Sequence, residues 1–89
     1  MKTPYLEVTY RKGRPIAAYL YLPRKDKEKP VRGEKREPGM ILDLTEEGEP
    51  IGIEITAPGM ITIGDINAVL HDYGISPVSG EELSPLEAA

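Results

Sequence analysis

The sequence predicts an α+β fold, a four-stranded antiparallel β-meander with one C-terminal amphipathic helix packed on one face. Apolar and polar residues alternate with period two along four short segments, which is typical of strands with one buried face. A segment with apolar residues at helical spacing follows the last strand. The length of 89 residues fits a single domain with one helix covering the sheet.

The first two predicted strands are residues 5–10 and 16–22, which both alternate between an apolar and a more polar face. Residues 11–14 supply the turn between them. Pro15 can open the second strand without breaking a ladder hydrogen bond, and Pro23 ends it.

Residues 24–38 are predicted to form a long charged loop. They hold seven bases and four acids, and Val31 is their only aliphatic residue. Such a segment cannot bury enough apolar surface to form a core element. Loops longer than about 2–6 residues are often functional, so this one is a candidate binding segment.

Residues 40–56 predict a second hairpin with two alternative registers. A three-residue loop at 46–48 would place Gly48 at positive φ and set Leu42 opposite Gly52. A loop with an even number of residues instead gathers all the large aliphatic side chains on one face, namely Leu42, Leu44, Ile51, Ile53 and Ile55. A slip of one residue exchanges the buried and exposed faces, so burial favours the even loop.

Residues 62–74 predict the helix. Thr62 is the predicted N-cap, with Asp65 near the positive end of the helix dipole, and Gly74 suits the left-handed position after the last turn. The apolar stripe facing the sheet is Ile63, Ile66, Val69, Leu70 and Tyr73. Residues 1–75 therefore form the predicted domain. In residues 76–89, Leu83 and Leu86 could form a short helical turn, but a mobile acidic tail is the preferred interpretation.

Composition argues against several functional classes. There is no cysteine, and His71 is the single histidine, so thiol catalysis, thiolate metal sites and histidine clusters are excluded. We expect no metal and no cofactor. No apolar run approaches the ~18 residues of a membrane span, and no signal-peptide pattern follows Met1, so we expect a cytoplasmic, soluble protein without a membrane partner. A chain this short without disulfide or metal gains stability by association, which predicts a homodimer.

The net charge of −4 is unevenly distributed. Residues 1–38 hold all eleven bases and five acids, a net +6, whereas residues 39–89 hold ten acids and no base. The two parts either neutralise each other, within the fold or between subunits, or meet charged partners.

Tyr5, Tyr19 and Tyr21 are predicted to share the sheet face away from the helix. They could line a partner interface, stack on single-stranded nucleic acid, or form plain surface. Tyrosine suits interfaces well. The chain lacks a ribonucleoprotein aromatic motif and is acidic, so the interface interpretation is preferred.

The alternative, nucleic-acid association, would use the charged loop. Its candidate anion-contacting residues are Arg24, Lys25, Lys27, Lys29, Arg32, Lys35 and Arg36.

Other polar residues give weaker signals. Asp43 and Glu54 could form a carboxylate pair for a cation or for acid–base chemistry. Without a third ligand, two solvated strand residues are the preferred interpretation. Gly52 marks either a bulge or a close approach by a backbone or a tyrosine. The sequence contains no phosphate-binding loop and no nucleophile elbow, so we predict no catalytic residue and no enzyme activity.

Three short motifs carry a family resemblance: Leu42-Asp43-Leu44, Glu46-Glu47-Gly48 and Gly52-Ile53-Glu54-Ile55. Together they resemble the bacterial and archaeal family called domain of unknown function 2283, whose second strand looks like residues 18–22. The chain departs from that family in its basic turn at 11–14 and its longer segment 24–38. The resemblance implies a small antiparallel sheet, self-association and, for some members, an antitoxin-like role beside small toxins. It assigns no catalytic residues. The predicted function is therefore a non-enzymatic protein-interaction module with an antitoxin-like or regulatory role.

Overall fold

In the part of the chain that the structure describes, five strands form one antiparallel sheet. The computed structural model describes residues 4–23, 29–81 and 83–87. The strands are β1 (Tyr5–Arg11), β2 (Arg14–Tyr21), β3 (Arg32–Arg36), β4 (Met40–Leu44) and β5 (Pro50–Ile55). Their order across the sheet is β1-β2-β5-β4-β3, and every neighbouring pair is antiparallel. The α+β class is confirmed, but the predicted count of four strands is wrong.

The additional strand, β3, lies inside the segment predicted as a loop. It pairs with β4 along its whole length. Its five residues include no aliphatic side chain, since Val31 comes just before it, so it showed no apolar alternation. Backbone pairing with β4, on the one side where β3 has a neighbour, makes this segment a strand instead. The loop prediction over 24–38 is therefore wrong for β3, and residues 24–28 lie outside the described residues.

The strand order also differs from the predicted meander. β2 pairs with β5, placing Leu20 opposite Ile53, and β4 lies on the other side of β5. The chain passes from β2 to the far edge of the sheet and returns through β4 to β5. The isoleucines of β5 explain this order, because their complete burial requires a central strand with neighbours on both sides.

The turn between β4 and β5 has the geometry of the three-residue loop. The Thr45 N–H donates to the Glu49 carbonyl oxygen at 2.8 Å. Gly48 has a φ of +84°, the left-handed conformation that this loop type assigns to glycine.

A β-bulge beside this turn restores the register that burial favoured. Leu44 pairs with Pro50, whereas Leu42 pairs with Ile53, so Ile51 is the extra residue. The hairpin therefore combines the three-residue loop with the strand register of the even loop.

Helix α1 (Ile63–Asp72) packs on one face of the sheet. Thr62 and Asp65 form the reciprocal bonds of a capping box, at 3.1 and 2.8 Å. Gly74 has a φ of +68° and donates to the His71 carbonyl at 3.0 Å, which closes the C-terminal turn. The caps predicted for this helix are confirmed, and its buried residues are Ile66, Val69 and Leu70.

The chain after α1 contributes to the same core. Val78, Leu83 and Leu86 are buried among the sheet residues, and Ser84–Glu87 form the short helix α2. The Asn67 side chain of α1 holds Val78 through two bonds, donating to its carbonyl at 3.1 Å and accepting from its N–H at 2.9 Å. In the described part of residues 76–89 the structure thus shows a packed segment rather than the predicted mobile tail, and the domain extends past residue 75.

Candidate interaction surface

The three tyrosines lie together on the sheet face opposite α1. The pairing of β1 with β2 places Tyr5 beside Tyr21, and Tyr19 follows two residues away on the same face. The rings of Tyr5 and Tyr21 stack at 4.6 Å with an interplanar angle of 10°. The Tyr19 ring meets Tyr21 edge-on at 4.7 Å and 63°. We call this surface, with the outward residues of the neighbouring strands, the tyrosine face.

Gly52 lets Tyr19 lie flat against the sheet. A Cβ atom at this position would overlap the Tyr19 ring and hydroxyl, so a side chain here would displace the tyrosine. The Tyr19 hydroxyl reaches across β5 and donates to Asp43 Oδ2 at 2.7 Å. Of the two interpretations of Gly52, close approach by a tyrosine is confirmed, and the bulge lies at the adjacent Ile51.

Tyr21 is held by Glu7 of the neighbouring strand. Its hydroxyl donates to Glu7 Oε1 in a long hydrogen bond of 3.5 Å. Partial desolvation, and then the negative charge of Glu7, raise the pKa of Tyr21 above its ordinary value. Two tyrosine hydroxyls of the cluster thus donate to carboxylates, that of Tyr19 to Asp43 and that of Tyr21 to Glu7.

The tyrosine face is negatively charged at its centre. Glu7, Asp43 and Glu54 all alternate onto it, from β1, β4 and β5. The bases on the same face, Arg11, Arg14 and Lys35, lie at its margins, at the turn between β1 and β2 and on the edge strand β3. The face therefore combines aromatic surface with carboxylates.

Asp43 and Glu54 are diagonal neighbours rather than a directly facing pair. Asp43 lies opposite Gly52, and Glu54 lies opposite Ile41. Asp43 already accepts the Tyr19 hydroxyl. Within residues 4–23, 29–81 and 83–87, no three histidine or carboxylate side chains are grouped as a metal ion would require.

The predicted anion-contacting residues do not gather into one patch where they can be described. Lys29, Arg32 and Lys35 are exposed. Lys35 and Arg36 are consecutive in β3, so they point to opposite faces of the sheet. Arg24, Lys25 and Lys27 lie outside the described residues.

Arg36 has a structural role. Its guanidinium donates to Glu34 at 3.0 Å and to Asp72, the last residue of α1, at 2.9 Å. It also lies 5.8 Å from the ring centroid of Tyr73. These hydrogen bonds, led by that to Asp72, raise the pKa of Arg36. Arg36 thus ties β3 to the end of α1, and its guanidinium is not free for an anionic ligand.

An apolar pocket lies between the start of α1 and α2. Its volume is about 380 Å³. Its lining is Ile61, Thr62, Ile63, Gly64, Ile66, Leu83 and Leu86. The Thr62 hydroxyl is engaged by the Asp65 N–H, so the described lining residues offer no converging polar groups for chemistry. No helix in the described part of the chain combines the length and apolar character of a membrane span.

Comparison with known proteins finds a family model that matches part of the chain. Residues 17–57, which contain the greater part of β2 and all of β3 to β5, match the family model "Protein of unknown function (DUF2283)". The predicted resemblance is confirmed. Strand β1 lies outside the match, and Tyr19, Tyr21, Asp43 and Gly52 lie within it. A search of the curated proteins found no match, and neither did a search of the solved structures.

Proposed function

We propose that this protein is a non-enzymatic, homodimeric interaction module that binds a protein partner through the tyrosine face. The observation that carries the proposal is the ordered cluster of Tyr5, Tyr19 and Tyr21. Two ring contacts and the hydrogen bonds to Asp43 and Glu7 hold it in place. The proposal includes an antitoxin-like or regulatory role, which the family resemblance implies for some members.

The fixed geometry of the rings favours binding. A side chain already held by neighbours loses less conformational freedom when a partner covers it. Tyr5, at the outer end of the stack, is 52% exposed, which offers apolar ring surface together with a hydroxyl. Such side chains are typical of the energetically dominant positions in protein interfaces.

The charge of the face indicates the kind of partner. Carboxylates at its centre, Glu7, Asp43 and Glu54, complement a partner surface that carries lysine or arginine. The same carboxylates repel the phosphates of a nucleic acid. A protein partner with a basic contact surface therefore fits this face better than a single-stranded nucleic acid.

Nucleic-acid association is the second candidate. It is supported by the exposed bases Lys29 and Arg32, which follow Arg24, Lys25 and Lys27 in the sequence. Arg36 does not contribute to this candidate, because its guanidinium already contacts Asp72 of α1. This binding would be strongly salt-dependent and independent of the tyrosines.

Affinity capture from cells that express the protein tests the two candidates. The interface variant is the double substitution Tyr5→Ser and Tyr21→Ser. The control is Met60→Ser, because Met60 is 68% exposed and lies in the 3-10 turn Pro58–Met60, outside the sheet and its tyrosine face. We expect a specific protein to be retained by the wild type and the control, and at least about tenfold less by the interface variant, a loss of about 1.4 kcal/mol.

Circular dichroism confirms that all three proteins are folded. Equal capture by the interface variant would contradict the proposal. Retention of nucleic acid alone, lost as salt is raised, would establish the second candidate instead.

A further inference from the structure

The two edges of the sheet have opposite chemical character. The edge strand β3 presents Arg32, Glu34, Lys35 and Arg36, and charged side chains on an edge strand discourage pairing with another chain. The other edge strand, β1, is seven residues long and reads YLEVTYR. It combines aromatic, aliphatic and β-branched residues, which favour pairing.

The direction of the backbone groups on β1 follows from one hydrogen bond. The Leu22 N–H donates to the Ile51 carbonyl at 3.1 Å. Leu22 directly follows β2, so the core-facing residues of β2 direct their N–H and C=O groups to β5. The alternate residues, Tyr19 and Tyr21, direct theirs to β1. Their partners in β1 are Glu7 and Tyr5.

Thr9 and Arg11 alternate in step with Tyr5 and Glu7, so the other three residues of β1, Leu6, Val8 and Tyr10, aim their N–H and C=O groups away from β2. Among the described residues β1 is the last strand on its side of the sheet. These outward groups form a ready ladder for one more antiparallel strand.

We propose that the strand added at this edge is β1 of a second copy of this chain, paired antiparallel across a two-fold axis at Val8. In this register Val8 faces the second copy's Val8, and Leu6 faces its Tyr10. All the outward backbone groups of these three residues then find partners in the other copy. A shift by two residues in either direction leaves part of the ladder unpaired.

The side chains also complement each other in this register. On the helix side Tyr10, 53% exposed in one chain, packs against the second copy's Leu6, which extends the apolar core across the axis. On the tyrosine face Tyr5 lies opposite the second copy's Arg11, a cation–π arrangement. Glu7 lies diagonal to the same Arg11, and this offsets the diagonal approach of the two Glu7 carboxylates.

The inference rests on the homodimer of the proposed function, and it assigns the dimer interface to the outer edge of β1. A two-fold axis perpendicular to the sheet keeps the tyrosine faces of both copies on the same side. The dimer therefore presents two tyrosine faces side by side and leaves both accessible to a partner. A partner with two basic contact surfaces would gain from binding both at once.

Light scattering of wild type, Val8→Pro and Val8→Thr at micromolar concentration tests the interface. Proline removes the central outward N–H, yet an edge strand tolerates it where that N–H faces solvent. Threonine keeps the N–H and the shape of valine. We expect a mass of two chains for wild type and Val8→Thr, and of one chain for Val8→Pro with an unchanged circular dichroism spectrum.

A folded Val8→Pro protein that keeps the mass of two chains overturns the inference. If Tyr21→Ser dissociates that dimer, the homodimer stands but buries the tyrosine face. A wild-type mass of one chain overturns the inference and the homodimer together. Binding of a partner through the tyrosine face is tested separately, by affinity capture with the Tyr5→Ser and Tyr21→Ser double variant.

If Val8→Pro does not fold, amide hydrogen exchange of the wild type tests the same interface. The amides of Leu6 and Val8 should exchange at least about tenfold more slowly at high than at low protein concentration, as expected for groups paired only in the dimer. Exchange rates that are independent of concentration overturn the inference.

Discussion

Replacing Ile53 with alanine should lower the free energy of unfolding by about 2–5 kcal/mol. Ile53 is completely buried on the central strand β5, where Leu20 of β2 and Leu42 of β4 flank it. Because three strands and α1 surround this position, the site cannot collapse around the missing atoms, and a cavity adds to the lost transfer energy. For a domain with a total stability of about 5–15 kcal/mol, this is a large fraction.

Urea denaturation at one fixed protein concentration measures this change, since a dimer links stability to concentration. The control is Glu54→Ala, which introduces alanine at the adjacent exposed position of the same strand. We expect a change of less than about 0.5 kcal/mol for this surface position. Two alanine variants of equal stability would contradict the observed register.

Replacing Leu83 with alanine should lower the free energy of unfolding by about 2–4 kcal/mol. Leu83 has no exposed surface and lies in the cluster that also contains Val78 and Leu86. The expected cost is slightly below that of Ile53, because a segment near the chain end can relax further around a cavity.

The control for Leu83 is Glu81→Ala, an exposed position two residues earlier, with an expected change of less than about 0.5 kcal/mol. Thermal or urea denaturation of both variants gives the comparison. If Leu83→Ala were as stable as the control, residues 76–87 would be a mobile tail, as the sequence predicted, and the packed segment would be wrong.

Elements with strong periodicity or capping residues were predictable. Strands β1 and β2, and α1 with Thr62 and Gly74 at its ends, follow from local patterns, although a register shift between β1 and β2 leaves Ile16 of the predicted apolar face 47% exposed. β3 was missed because its backbone pairing, and not its side chains, makes it a strand. The burial of Leu83 and Leu86 was missed because two leucines three residues apart suit a short helical turn but are too short a pattern to predict packing against the core.

The candidate surface was predictable in its aromatic part. Alternation alone places Tyr19 and Tyr21 on one face, and the pairing of the first hairpin adds Tyr5. The role of Asp43 as acceptor for Tyr19 depends on the strand order, because β4 reaches the tyrosine only across Gly52 of β5. A predicted meander would have placed β4 directly beside β2, so this contact could not be derived.

Arg36 was predicted to contact an anion and instead contacts Asp72 and Glu34. The spacing of Glu34 and Arg36 by two residues was a usable signal, since in a strand they share one face. That signal requires recognising β3, which the charged composition of the segment concealed.

Site-specific photo-cross-linking in living cells tests most directly whether the tyrosine face binds a protein. The photoreactive residue p-benzoylphenylalanine replaces Glu54, which is exposed on the central strand of this face, or, as the control, His71, which is exposed on α1. We predict that position 54 gives an adduct with a different protein and that position 71 does not. Adducts of equal yield from both positions, or an adduct from position 54 with nucleic acid alone, would contradict a protein-binding tyrosine face.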